Sequence, residues 1–319
     1  MISMKLGVSS CLLGNLCRYD GAHAKDEYIV KILQNYFELV PYCPEHLVFG
    51  TPRDTIRLVE INNIITVKTN KTNSDVTDIL EDISLKCAQN IQQDNLCGFI
   101  LKSKSPTCGM ERVKVYQEIN APCEKKGVGL FAHHIKALYP FLPLEEEGRL
   151  NDDWLKENFL MQIFAYKDLH EFLAQKPTFN DLVVFHTHYK YLIYAKSQKF
   201  YKQLGNIVAN HEKKSLEEVL NSYKTGFLEA ISLKGDIAKT YNVLLHIYGY
   251  FKKEISKDEK EIVLATLEEY KDQIIPLIAV IKIINIYVTR FNIEYLKTQK
   301  FLNPYPKELA LRSTVLAYK

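Results

Sequence analysis

The 319-residue sequence has no cysteine pair at CxxC spacing, no large excess of either charge, and no apolar run long enough to span a bilayer. Without close cysteine pairs, the usual structural zinc modules are excluded. A formal net charge of +3 does not by itself mark a polyanion binder. The longest apolar run, Ile274 to Val288, is broken by Lys282 and falls short of the roughly 20 residues a transmembrane helix needs. The opening Met1-Ile2-Ser3-Met4-Lys5-Leu6 has no apolar core of the kind a secretory signal carries. The expectation is a cytoplasmic protein with no membrane partner. Seven cysteines without such a signal disfavour a disulfide framework and favour reduced thiols or metal ligands.

What is present divides in two. The length and a 47% hydrophobic composition suffice for two packed domains. Residues 1 to about 148 alternate short apolar runs with helical patterns, which predicts an α/β domain with a parallel, Rossmann-like sheet. Strand candidates are Leu6-Gly7-Val8-Ser9, Leu39-Val40-Pro41-Tyr42, Cys97 to Leu101 and Val113 to Tyr116. Helices are expected over Asp26–Phe37 and from an N-cap at Ser74 to about Gln92. Asn62 to Asn73 reads as loop or edge structure. A charged stretch, Glu145 to Asp152, marks the boundary. From 149 to 319 strand candidates vanish, and helices are expected at roughly 152–174, 179–204, 215–233, 235–254, 258–272 and 275–297, punctuated by Pro177, Gly205 and Gly235. This half is predicted to be an all-α bundle.

Three cysteines share one situation. Cys11, Cys43 and Cys108 each lie in a loop just after a strand candidate and beside a Gly or Pro. In an open parallel sheet such loops meet at the carboxyl edge, where ligands bind. Separated thiolates suit a soft metal or an iron–sulfur cluster with one open position. The plainer alternative is three small buried residues in tight loops. Glu45, two residues from Cys43 and stiffened by Pro44, has the chemistry of a proton shuttle. Ser105 and Thr107 flank Cys108 as hydrogen-bond donors or as turn caps. Arg18 is available for an anion or for Asp20, and Arg53 for an anion likewise.

Together Ser9-Ser10-Cys11-Leu12-Leu13-Gly14, Arg18-Tyr19-Asp20-Gly21, Cys43-Pro44-Glu45, Pro52-Arg53 and Ser105-Pro106-Thr107-Cys108-Gly109 resemble the thiouracil desulfurase (TudS-like) family. His186 to Lys190, Leu245 to Phe251 and Gln299 to Pro306 resemble the YbgA-type helical domain found fused to it. The resemblance implies a 4Fe–4S cluster held by Cys11, Cys43 and Cys108, with one iron free for a thiocarbonyl sulfur. It implies Glu45 as the proton-transfer residue, Ser105 as an assistant at the substrate, and conversion of C=S to C=O with release of sulfide. Thr107 stands where the family more often has serine. Cys17, Cys87, Cys97 and Cys123 match no ligand position and read as structural.

From Asn151 onward the chain has 24 Lys+Arg against 20 Asp+Glu. Between Leu182 and Lys214 lie Lys190, Lys196, Lys199, Lys202, Lys213 and Lys214 with a single acid, Glu212. Phe185, Tyr189, Tyr191, Tyr194, Phe200 and Tyr201 are interleaved with them. Lysines for phosphates and aromatics for unpaired bases suit RNA, with Tyr189 and Lys190 as candidate contacts. The alternative is a solvated helix face over core aromatics. His186, His188 and His246 are more readily packed histidines than metal ligands. The substrate is then a thiolated pyrimidine base or nucleotide, or the 4-thiouridine of a tRNA. A different class, a non-catalytic protein with a structural metal and a partner surface, is distinguished by the absence of an oxygen-sensitive brown chromophore.

Overall fold

The apolar runs of the first half become strands of two four-stranded sheets. The computed structural model of the chain describes residues 4–117 and 122–309. The strands are β1 (Met4–Ser9), β2 (Phe37–Tyr42), β3 (Ile56–Ile61), β4 (Ile64–Thr69), β5 (Leu96–Leu101), β6 (Val113–Tyr116), β7 (Cys123–Gly127) and β8 (Leu144–Glu146). One sheet has the order β2-β1-β5-β8 with every pairing parallel. The other, β4-β3-β6-β7, is mixed. In the parallel sheet β5 is buried along its whole length, as an unbroken Leu-Cys-Gly-Phe-Ile-Leu run requires when helices cover both faces. The Phe99 ring of β5 lies over Gly7 of β1, where any Cβ would stand 2.3 Å from that ring. Phe99, Tyr42 and Phe131 pack with ring centroids 5.2–5.9 Å apart.

The helices of this half are α1 (Glu27–Lys31), α2 (Pro44–Phe49), α3 (Thr77–Asp94) and α4 (Leu130–Leu138). Two expectations need correction. The helix expected over Asp26–Phe37 closes after one turn, because Phe37 to Tyr42 pairs residue for residue with β1. Ser74 does not cap α3. It belongs to a turn with Thr69 and Thr72, and the helix starts at Thr77. The stretch 62–73 is loop and edge strand, as expected: Asn62 and Asn63 both take positive φ (50° and 63°) and turn β3 into the edge strand β4, the backbone a two-residue hairpin demands. Leu58, Val67, Val113 and Val115 of the mixed sheet share a core cluster with Leu80 of α3.

The chain divides into units Met1–Phe159 and Leu160–Lys319. The second is helical: α5 (Asp153–Ala174, which crosses the division), α6 (Phe179–Lys196), α7 (Gln198–Ala209), α8 (Leu216–Ser232), α9 (Ile237–Tyr248), α10 (Lys257–Lys271), α11 (Leu277–Arg290) and α12 (Glu294–Lys297). Capping boxes start α6, α8 and α10, at Thr178/Asp181, Ser215/Glu218 and Ser256/Glu259. The single helix expected over 179–204 is two. Ser197 takes an extended conformation and its hydroxyl accepts from the Phe200 amide, ending α6 and capping α7. α6 packs against α7, α8 and α9, which explains why it is apolar nearly all round. No helix among the described residues is long and apolar enough to cross a membrane.

Candidate functional site

The parallel sheet delivers the three predicted cysteines to one edge. β1 runs into a short 3-10 turn, Ser10–Leu13, that carries Cys11. β2 ends at Tyr42, and Cys43 is the residue before α2. β5 runs into the loop that carries Cys108. Because β2, β1 and β5 are neighbours and parallel, their carboxyl ends open onto a common crevice. A cavity of about 240 Å³ lies there, lined by Cys11, Cys43, Cys108, Glu45 and Ser105 among others. That volume lies below the range of drug-sized ligand sites.

Glu45 sits in the first turn of α2, after Pro44 at its first position. Its two oxygens are held differently. Oε2 accepts from Arg53 Nη2 at 2.8 Å, and Oε1 accepts from the Ser105 hydroxyl at 3.3 Å. Ser105 Oγ in turn accepts from the amides of Thr107 (3.1 Å) and Cys108 (3.0 Å). One hydroxyl thus ties the proton-transfer candidate to the loop of the third thiol. Arg53, whose side chain is 7% exposed, spends Nη1 on the carbonyls of Cys17 and Gly50, each at 2.9 Å. Its Nε has no protein partner. Arg53 therefore acts here as a brace for Glu45. Arg18 lines the cavity with Asp20 beside it at 3.6 Å and its guanidinium over the Tyr19 ring. Thr107 is fully buried and is not among the residues lining the cavity; its Oγ1 has no partner.

The loop of Cys108 is held from two sides. Glu147 accepts from Lys102 Nζ, from the Ser103 amide (2.7 Å) and from the Ser103 hydroxyl (2.8 Å), and Glu146 accepts from the Met110 amide (2.7 Å). The acidic stretch that reads in sequence as a domain boundary thus begins with the fourth strand of the sheet, and its glutamates fix the site loop. On the other side the Phe131 amide bonds Thr107 O at 3.0 Å. Gly129, just before α4, is pressed against this loop: an added Cβ would stand 2.4 Å from Thr107 O and 2.9 Å from Cys108 N. Gly129→Ala is expected to cost about 1–3 kcal/mol through overpacking. Gly205→Ala, in open space within α7, is expected to gain about 1 kcal/mol. Urea unfolding of both variants checks the pair; a Gly129→Ala protein as stable as the parent would refute the first.

Sequence reading missed one thiol. Cys17 lines the same cavity and its thiol is hydrogen-bonded to those of Cys11 and Cys43. Those contacts hold the Cys17 thiol well below its ordinary range, while the same contacts and burial push Cys11 and Cys43 up. Burial pushes Cys108 up to about 12. The available signal was its position six residues after Cys11 in the same post-strand segment. All seven cysteines are free thiols. No group of three His, Cys, Asp or Glu among the described residues is close enough to hold a single metal ion. A polynuclear cluster makes no such demand, because each thiolate takes a different metal atom. Four soft donors around one cavity, with Ser9 hydrogen-bonded to Cys108, are a donor set that fits iron and sulfide.

In the helical unit the interleaved aromatics are mostly core. Tyr189 is 2% exposed, packs on Phe185 and Phe227, and donates its hydroxyl to Asp168 at 2.6 Å. It offers no face to a base. Lys300 pairs with the same carboxylate oxygen at 2.6 Å. Lys196 is buried, Lys190 half-buried, and Lys199, Lys202, Lys213 and Lys214 are exposed. His186 is a packed histidine, Nδ1 3.2 Å from Tyr223 Oη. Burial, and then the charge of Lys190, hold it at about 4 against an ordinary 6.5. Below pH 6.5 the unfolded chain takes up this proton, whereas the folded chain does not until about pH 4. Stability is therefore full above pH 6.5 and falls as pH drops through that window, by about 3 kcal/mol. Urea unfolding across pH 4–7 is expected to show this slope, and His186→Gln to flatten it; an unchanged slope in the variant would assign the effect elsewhere.

Comparison with known proteins agrees with this division. Residues 6–147 match the family model described as 2-thiouracil desulfurase, and residues 190–306 match the one described as protein of unknown function DUF1722. The chain is 29% identical over 157 residues to the uncharacterized protein YbgA of Escherichia coli strain K12, covering 49% of this chain and 93% of that protein. It is 34% identical over 108 residues to the uncharacterized protein YbbK of Bacillus subtilis strain 168, covering 32% of this chain and 71% of that protein. Among solved structures it is similar to the [4Fe-4S]-dependent thiouracil desulfidase TudS, at 22% identity and a TM-score of 0.36, over 47% of this chain and 95% of that one.

Proposed function

Because the chain belongs to the 2-thiouracil desulfurase family through residues 6–147, we propose that it replaces the thiocarbonyl sulfur of a thiolated pyrimidine by oxygen and releases sulfide. The observation that carries this reading is the meeting of Cys11, Cys43 and Cys108 with Glu45 and Ser105 around one cavity. The three cysteines would hold a 4Fe–4S cluster. Bound there, it supplies a soft iron that polarises the C=S bond and receives the departing sulfur.

The remaining chemistry belongs to the chain. Glu45 takes a proton from water, so that the oxygen can attack the ring carbon, and returns it as the C–S bond breaks. One water enters, one hydrogen sulfide leaves, and the pyrimidine undergoes no net redox change. Arg53 fixes one oxygen of the carboxylate, and Ser105 marks where the other points. A base carried on a folded polymer reaches such a cavity only by flipping out of its stack. Exposed lysines of the helical unit, Lys199, Lys202, Lys213 and Lys214, support tRNA 4-thiouridine as the physiological carrier, by charge alone and without aromatic stacking.

The test is sulfide release. Protein purified anaerobically and reconstituted with iron and sulfide is given 4-thiouridine, its monophosphate, or thiolated tRNA in separate reactions. Loss of the thiocarbonyl absorbance together with released sulfide is expected, fastest with tRNA and slowed by salt. No loss from protein shown to hold its iron would leave a non-catalytic metal protein; loss only with the monomers would remove the RNA arm.

A further inference from the structure

We propose that the face of the helical unit built around Tyr250 and Tyr295 is a stacking platform for unpaired nucleotides of an RNA, an inference that rests on the RNA arm of the reading above. Three sequence stretches without a part in the sulfur chemistry, 186–190, 245–251 and 299–306, are joined here. Gln299 Nε2 donates to Thr187 O at 2.8 Å and the Lys300 amide to His188 O at 2.9 Å, which docks the segment after α12 on α6. The Tyr191 hydroxyl, one residue further along α6, donates to Tyr250 Oη at 3.2 Å.

The turn after α9 is anchored by Phe251, which is fully buried and stacks on Tyr287 with ring centroids 5.0 Å apart. Its neighbour Tyr250 turns the other way and is 47% exposed. One face of the Tyr250 ring lies against Tyr295 of α12, with centroids 5.6 Å apart and planes at 17°. With that face covered, so large an exposure leaves the opposite face to solvent. Tyr191, only 7% exposed, braces the pair and meets Tyr295 edge-on at 74°. Beside them Tyr194 stacks on Tyr201 at 4.7 Å, and the exposed His246 packs on Tyr194. Rings already held by their neighbours lose little freedom when a flat partner stacks on them.

The charge around these rings decides the kind of partner. Lys252 and Lys253 are exposed in the same turn as Tyr250, and Lys202 is exposed next to Tyr201. Lys190 Nζ stands 5.9 Å over the Tyr201 ring. Lys297, two residues from Tyr295, is paired with Glu294 at 2.8 Å. Lysine is depleted in protein–protein interfaces. Lysines around an exposed tyrosine suit a nucleic acid instead, with the ammonium groups on phosphates and the ring on a base. A duplex keeps its base faces covered, so the matching element is a loop or an end of a folded RNA. The lysine-rich stretch from Leu182 to Lys214 thus contributes charge, while the stacking rings come from Tyr250 and Tyr295, outside it.

The full chain as wild type, Tyr250→Phe and Tyr250→Leu is titrated against a fluorescein-labelled oligouridine and against a blunt-ended RNA duplex of the same length, read by anisotropy. Wild type and the phenylalanine variant are expected to bind the single strand alike. The leucine variant is expected to bind it about 5- to 150-fold more weakly, the weight of one stacked base, with duplex affinity unchanged and a coincident circular dichroism spectrum. Replacing Lys252 and Lys253 by glutamine is expected to flatten the salt dependence of single-strand binding by about 0.7 in logarithmic slope per lysine. Equal single-strand affinity in wild type and the leucine variant would overturn the proposal. So would a loss equal on single strand and duplex, or no single-strand binding by wild type. Turnover of 4-thiouridine monophosphate by iron-loaded wild type reports on the desulfurase reading alone. Its absence would overturn that reading, while the titrations, which need no iron, decide this one.

Discussion

Replacing Glu45 by glutamine is expected to lower the rate of thiocarbonyl loss by about 10²–10⁴-fold, the span a positioned proton-transfer group contributes, with iron content unchanged. The substitution keeps the shape of the side chain. The amide oxygen can still accept from Arg53 Nη2, and the amide nitrogen can donate to Ser105 Oγ where the carboxylate accepted. What is lost is a group able to take a proton from water. Glu45→Asp separates charge from reach. It keeps the carboxylate but, one methylene shorter, cannot span both Arg53 and Ser105, so an intermediate rate is expected. Single-turnover absorbance decay of reconstituted protein, with iron assayed on the same sample, makes the comparison. Wild-type decay in the glutamine variant would remove Glu45 from the chemistry and leave it a brace.

The sheet edge was legible in the sequence because it is written in local pattern. Each of β1, β2 and β5 is a short apolar run with a cysteine in the loop that follows it, and parallel neighbours point their carboxyl ends the same way. What lay hidden depended on pairing between distant segments. β8 has three residues, two of them glutamates, so nothing in Leu144-Glu145-Glu146 reads as a strand until it lies along β5. The carboxylates then turn inward to the loop from Lys102 to Met110 and stop looking like a linker. β4 was concealed by the polar Thr and Asn around it, and revealed by two adjacent positive φ angles that only the fold exposes. Arg53 is the sharper case. In sequence an arginine after proline is free to bind any anion, and the structure commits it to Glu45 and two carbonyls. Cys17, read as structural, lines the same cavity; its place there was not legible because a motif supplied three cysteines and drew no attention to a fourth nearby. In the helical half the 3.6-residue period located every long helix. Amphipathic spacing could not say which aromatics were core, because lysines flank buried and exposed rings alike.

Arg53→Met is expected to destabilise the first unit by about 3–5 kcal/mol. The side chains of Arg53 and Glu45 are only 7% and 17% exposed. Methionine fills much of the volume but leaves a carboxylate in a poorly solvated place with Ser105 as its remaining partner, and leaves the carbonyls of Cys17 and Gly50 without their shared donor. Two effects are therefore mixed, the stranded charge and the lost backbone anchor. A double-mutant cycle with Glu45→Gln separates them. If the charge dominates, Glu45→Gln/Arg53→Met recovers most of the loss, since a neutral amide tolerates the site. If the anchor dominates, the double variant stays as unstable as Arg53→Met alone. Urea unfolding of the four proteins, before and after iron reconstitution, measures both. A loss below about 1 kcal/mol, the value of an exposed ion pair, would show that Glu45 reaches water and that Arg53 is not its brace.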